Sequence, residues 1–153
     1  MKQFLSCLFF LYCVMLTGIL FFGREAELSV PLREYFITRA NAVPFRTLVR
    51  YVGYFLRQTD KESFFLALRN IGGNFLLFLP MGFFLPRFFS VERRLGGALF
   101  SVFLMILAAE ILQGIFRVGI PDVDDLIVNM MGAFVGILLA KKAKRLNIDQ
   151  SRK

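Results

Sequence analysis

Histidine and tryptophan are absent from this 153-residue chain, cysteine occurs only twice, and charged residues make up just 20%. Without histidine there can be no His-based catalytic triad, no imidazole metal site and no histidine-dependent phosphohydrolase. Cys7 and Cys13 lie six positions apart in one apolar run. That spacing turns them to different faces of a helix, so neither a disulfide nor a metal clip is expected, and both read as small buried or lipid-facing residues. The shortage of charge has a wider consequence. A water-soluble globule needs a polar shell, which is hard to assemble when 57% of the residues are hydrophobic and the mean hydropathy is +0.62. A lipid-facing surface needs no such shell. The same numbers exclude intrinsic disorder.

Long apolar runs fill the place of the missing charge. Phe4 to Phe22 is nineteen residues without a charge, long enough to cross a bilayer. A cleaved signal peptide would show a shorter core and a small-x-small site before Arg24, so an uncleaved first span is expected. A second charge-free stretch runs from Asn70 to Pro86, giving a span over about 70–88. The capping-box spacing Thr59-Asp60-Lys61-Glu62 lies ahead of it, and Pro80 is expected to kink it. Leu95 to Phe116 carries Glu110 alone, and Val123 to Ala140 opens with Asp124 and Asp125 and is otherwise apolar. The reading is an all-α integral membrane bundle of about four transmembrane helices, at 4–22, 70–88, 95–116 and 123–140. With no internal repeat or low-complexity linker, residues 1–153 form one domain.

Four spans put both termini on one side, and cations say which. Arg87, Arg93 and Arg94 sit between spans two and three, and the tail 141–153 carries Lys141, Lys142, Lys144, Arg145, Arg152 and Lys153. By the positive-inside rule these face the cytoplasm, and the segment 23–69 lies outside. The net charge of +8 is therefore mostly topology, and no nucleic-acid partner is expected. Within the external segment, Arg46, Arg50 and Arg57 fall on one stripe between Pro44 and Gln58, with Leu48, Val49, Val52, Phe55 and Leu56 on much of the remainder. An amphipathic helix lying in the outer interface, with its cations near anionic headgroups, fits this pattern as well as a helix packed on the other four.

Polar residues in apolar context fall into three helical stripes: Asn70 and Asn74; Glu110, Gln113 and Arg117; and Asp122, Asp125 and Asn129, continued by Gly132 and Gly136. The topology brings all three to the outer half of the bilayer. Ionised groups there cost about 2.5–3.5 kcal/mol each, so they turn inward and pair, Arg117 with Asp122 or Asp125. The glycines allow close packing against a neighbouring helix, in this chain or in a second copy. Two readings compete: a polar bolt that merely holds the bundle, and a pocket open to the outer leaflet.

The ordered set Asn41-Ala-Val-Pro44-Phe45, Asn74 through Pro80-Met-Gly82, Glu110-Ile-Leu-Gln113 with Arg117, and Asp122-Val-Asp-Asp125 through Asn129-Met-Met-Gly132 resembles the VanZ-like family over Asn41 to Ala140. The resemblance implies a small multi-pass protein of the bacterial cell membrane, linked to resistance against glycopeptides, notably teicoplanin-like lipoglycopeptides. It carries over to Asn41, Pro44, Phe45, Asn74, Pro80, Gly82, Glu110, Gln113, Arg117, Asp122, Asp125, Asn129 and Gly132.

Two functions follow as expectations. In the first, the protein binds a lipid-anchored envelope molecule or a lipoglycopeptide at the outer leaflet. Arg46, Arg50 and Arg117 meet its phosphate or carboxylate; Asn41, Asn74, Glu110, Gln113, Asp122, Asp125 and Asn129 line the rest of the site; phenylalanines hold its chain. In the second, an intramembrane enzyme acts on a polyprenyl phosphate. Glu110 is then the base or, with Asp122 and Asp125, an oxygen site for Mg²⁺ or Ca²⁺, and Arg117 stabilises phosphoryl oxygens. Apart from that one variant of the enzyme reading, no resident metal is expected, nor any organic cofactor, and four spans are few for a transporter.

Overall fold

The computed structural model describes residues 2–22, 25–57, 60–88 and 95–150. In chain order these form α1 (Lys2–Thr17), running on into a π-helical segment (Gly18–Phe22), then α2 (Leu32–Arg39), α3 (Arg46–Leu56), α4 (Lys61–Phe88), α5 (Leu95–Phe116) and α6 (Val123–Gln150). Among the described residues the sole extended pairing is an isolated parallel bridge between Asn41 and Asp122. Four stretches are long and apolar enough to cross a membrane: Gln3–Phe22, Lys61–Pro86, Leu95–Phe116 and Val123–Ala143. The chain is thus an all-α, multi-pass membrane protein.

The second span begins earlier than its charge-free run. Asp60 starts the helix by accepting the Ser63 amide at 2.8 Å and the Ser63 hydroxyl at 2.9 Å, so the apolar stretch from Asn70 is the lower part of a helix that starts at Lys61. Asp60 and Ser63 thus form a capping pair; the expected capping box from Thr59 lies outside the described residues. The helix continues through Pro80 and Pro86. Pro80 leaves the Leu76 carbonyl without its amide donor, and the Tyr12 hydroxyl of α1 donates to the next carbonyl, that of Leu77, at 2.7 Å.

Side-chain contacts give the helix directions. Phe9 packs against Phe84 with tilted rings while Tyr12 reaches Leu77, so α1 and α4 are antiparallel. Gln113 near the end of α5 meets Leu20 near the end of the first span, so α1 and α5 run the same way. The α4–α6 pair is the most extensive in the bundle, and it is built on glycine. A Cβ added to Gly132 would fall on the Phe75 carbonyl, one on Gly136 on the Leu79 carbonyl, and one on Gly82 on the Ala133 carbonyl. Rising numbers on α4 meet rising numbers on α6, so these helices are parallel, in steps of four residues. Small residues at such a crossing let the backbones touch, which in lipid replaces the hydrophobic driving force. The expected close packing of Gly132 and Gly136 is therefore met by α4 of the same chain.

The remaining core is a stripe of Tyr12, Leu16 and Leu20 from the first span, with Phe78, Met81 and Leu85 of α4 and Val102 and Ile106 of α5. Outward faces carry exposed Phe4, Phe10, Leu11, Phe100 and Leu104, as a lipid-contacting surface should. Helix α2, for which the sequence carried no separate expectation within the segment 23–69, is fixed by Tyr35. Its ring is buried and its hydroxyl donates to the Gly119 carbonyl at 3.2 Å.

Candidate functional site

The end of the bundle where α4 and α6 begin gathers most of the polar residues. Its centre is a junction between the loop before α3 and the loop before α6. Asn41 and residues 121–123 exchange backbone bonds, from the Asn41 amide to the Pro121 carbonyl at 2.9 Å and from the Val123 amide to the Asn41 carbonyl at 3.0 Å. The Asn41 side chain donates to Asp122 Oδ1 at 2.9 Å and to Thr47 Oγ1 at 3.1 Å, and the Thr47 hydroxyl donates in turn to Asp122 Oδ2 at 2.7 Å. Asp122 also accepts the Asp124 amide at 2.8 Å, so both of its oxygens are engaged.

Asp124 is the acid that the sequence reading passed over. It is 1% exposed. Its Oδ1 accepts the Phe45 amide at 2.5 Å, and its Oδ2 accepts the Thr47 amide at 2.7 Å and the Leu48 amide at 3.1 Å. Helix α3 needs this, because its N-cap position holds Phe45, in the left-handed region at φ 66° with no side-chain oxygen to offer. The orphan amides of a first helical turn must find acceptors somewhere, and a buried carboxylate from another helix supplies them. The signal was present in the sequence as a helix start, Pro44-Phe45-Arg46, that lacks any capping residue.

Arg117 takes a course different from the expected ion pair. It terminates α5 in the left-handed region at φ 55°, with the Val118 amide bonded to the Gln113 carbonyl and its own amide to the Gly114 carbonyl, the pattern of a Schellman cap. Its Nη1 donates to the Val30 carbonyl at 2.7 Å and the Leu28 carbonyl at 3.2 Å. The guanidinium thus ties the segment before α2 to the end of α5, while Asp122 is taken by Asn41 and Thr47. Its Nε is buried without a hydrogen-bond partner.

The other expected site residues divide. Gln113 is buried and donates to the Leu20 carbonyl at 2.9 Å, inside the π-helical segment, where the wider turn disturbs the regular ladder. Glu110 is half-buried, with Oε2 at 3.4 Å from the Asp122 amide. Asp125 is half-buried beside Tyr51 of α3, whose phenol is pushed above its usual range first by burial and then by the negative charges of Asp125 and Asp122. Asn129 is 2% exposed and its Oδ1 has no hydrogen-bond donor. Asn74 is half-buried and precedes Phe75, which touches Gly132, so it stands within about one turn of Asn129 along the bundle. Asn70 turns back to its own helix, donating to the Leu66 carbonyl at 3.0 Å. Arg46 and Arg50 are exposed on α3. The oxygen site expected of Glu110, Asp122 and Asp125 does not assemble: among the described residues no three acids or cysteines are grouped closely enough to hold a metal ion, and both oxygens of Asp122 are engaged by Asn41 and Thr47. An open depression of about 340 Å³ lined by Pro31, Arg33, Glu34 and Ile37 lies on the α2 side.

Chemically, this end contains a rigid two-aspartate clasp, an arginine bound to main-chain carbonyls, and two separate buried polar atoms, Asn129 Oδ1 and Arg117 Nε, that lack partners. A family model, VanZ/LLP1, matches residues 9–145 of the chain. Neither the curated proteins nor the solved structures yield a match.

Proposed function

The chain belongs to the VanZ/LLP1 family, and from that premise we propose that it binds a lipid-anchored envelope molecule, or a lipoglycopeptide built like one, and contributes to resistance against teicoplanin-type glycopeptides. The binding end is the one formed by the starts of α3, α4 and α6. It faces the outside of the bacterial cell membrane, and both chain termini face the cytoplasm. This orientation is supported by Lys141, Lys142 and Arg145 at the far end of α6, where the positive-inside rule places them in the cytoplasm.

The observation that carries the reading is the unsatisfied buried Asn129 Oδ1, with a second unpartnered buried atom, Arg117 Nε, elsewhere at the same end. A group of this kind costs about 1–3 kcal/mol when left unmade, and buried orphans are rare where packing is the sole demand. A sugar or peptide head carries both donors and acceptors and satisfies them. Arg46 and Arg50 then meet its phosphate or carboxylate, and the apolar outer faces of the spans accept its chain.

Expression in a teicoplanin-susceptible bacterium tests this. The intact protein is expected to raise the inhibitory concentration severalfold, and Asn129→Leu, which replaces the orphan amide by an apolar group of similar size, is expected to abolish the gain at equal membrane abundance. An intact protein that leaves susceptibility unchanged overturns the resistance reading; full resistance in Asn129→Leu overturns the site.

A further inference from the structure

Helix α3 presents three faces. Thr47, Leu48, Tyr51, Tyr54 and Phe55 are half-buried against the bundle. Val49, Val52 and Leu56 stand out from it, at 69%, 46% and 79% exposure. Arg46, Arg50 and Arg57, also exposed, occupy an arc of about 40° next to that apolar stripe at 100° per residue. An exposed apolar ridge flanked by a cationic one is the pattern of a helix lying in a membrane surface, apolar residues in the acyl boundary and cations among headgroups.

Position makes the argument specific. The first turn of α3 is fastened to the start of α6 through Asp124, and in its last turn Phe55 meets Phe64, in the first turn of α4, edge to face with ring centres 5.1 Å apart. Both partners are the beginnings of membrane-crossing segments. The helix is therefore held at the level where these spans leave the bilayer, which is where phosphates lie.

We propose that the Arg46–Arg50–Arg57 face is a binding site for the phosphate headgroups of anionic phospholipids in the surrounding leaflet, with Val49, Val52 and Leu56 seated among the upper methylenes of the same lipids. Planar guanidinium groups match phosphate oxygens in pairs. This inference shares two arginines with the proposed ligand site but requires neither an antibiotic nor an envelope ligand. Its second consequence is mechanical: the lipid-bound helix is joined through the Asp122 and Asp124 clasp to the half-buried Asp125 and the buried Asn129, so the headgroup layer bears on the polar interior.

The absence of tryptophan gives a clean experiment. The full chain carrying Val49→Trp is reconstituted in vesicles of phosphatidylcholine mixed with brominated phosphatidylglycerol or brominated phosphatidylcholine, and quenching yields the relative association constant at α3. Each arginine that reaches a phosphate contributes about fivefold preference for the anionic lipid, so a preference of at least severalfold is expected. Adding Arg46→Gln, Arg50→Gln and Arg57→Gln is expected to bring it to parity. A second reporter, Leu138→Trp on α6 near the opposite, basic end, should keep its own preference in that triple variant, which shows that the protein is folded and that the loss is local. Equal quenching by both lipids at Val49→Trp, a preference that survives the three substitutions, or an equal loss at both reporters overturns the proposal.

Discussion

The carboxylate of Asp124 accepts the backbone amide of Thr47 at 2.7 Å across 77 positions of sequence, and with it the first turn of α3 acquires the cap that its own residues cannot provide. The pairing converts a stretch of chain between the first two spans into a fixed part of the membrane bundle. It also explains why an acid sits almost fully buried beside a span without an ion-pair partner: three amide donors take the place of a cation.

Replacing that acid should release α3. Asp124→Ala leaves the amides of Phe45, Thr47 and Leu48 without acceptors in a buried setting, a loss on the order of 3 kcal/mol from bonds of this charged type. Asp124→Asn retains one acceptor oxygen and should lose about half as much. Thermal denaturation in detergent and limited proteolysis report both effects, with new cleavage expected between residues 40 and 57. An Asp124→Ala protein as stable and as protease-resistant as the parent would refute the clasp.

The α4–α6 seam makes a steric prediction. Gly132→Ala places a methyl group on the Phe75 carbonyl, backbone that cannot move without separating the helices, and should cost at least about 2 kcal/mol. Gly73→Ala, with nothing within 4 Å of the added carbon, should be neutral or slightly stabilising through helix propensity. Midpoint temperatures of the two variants in the same detergent decide it; equal values would mean that α4 and α6 do not meet there.

The four spans were legible because twenty-odd apolar residues have few alternatives in water or in lipid. Legible too was the inward turn of polar residues, since Gln113, Asp122 and Asn129 do find interior positions. The partners were not readable. Helical periodicity placed Asp122, Asp125 and Asn129 on one stripe and left Asp124 off it, yet among the described residues Asp124 is the most buried acid, because its partner is a helix start far away in sequence. Arg117 was expected beside an aspartate on charge alone, whereas main-chain carbonyls of an irregular segment compete for it. Gly132 and Gly136 announced a close neighbour without saying which; Gly82 and the carbonyl row of α4 supply the answer through contact geometry.

Arg117 itself separates backbone strain from side-chain bonding. In the left-handed region a Cβ costs about 1–2 kcal/mol relative to glycine. Arg117→Gly loses the bonds to Leu28 and Val30 but relieves that strain; Arg117→Ala loses the bonds and keeps the strain. The glycine variant should therefore be the more stable of the two by about 1 kcal/mol, with both below the parent. Measured denaturation midpoints check the order, and an alanine variant equal to or above glycine would count against the Schellman cap.

Asp125 and Tyr51 make a prediction about acid–base behaviour. The phenol of Tyr51 is pushed upward chiefly by burial and then by the charges of Asp125 and Asp122. A group whose ionisation is disfavoured in the folded state binds its proton more tightly there than in the unfolded chain. Its contribution to stability is complete below the ordinary phenol range near pH 10 and is lost as pH climbs through the raised folded value. Asp125→Asn removes one negative charge, so Tyr51 should ionise at lower pH than in the parent while still lying above an exposed tyrosine, since the burial remains. The chain has four tyrosines, so the phenolate absorbance titration is read as the difference between each protein and its Tyr51→Phe counterpart. The position of α3 is at stake: a Tyr51 titration indifferent to Asp125→Asn would separate the helix from the start of α6 and remove the link between the exposed arginines of α3 and the buried polar groups.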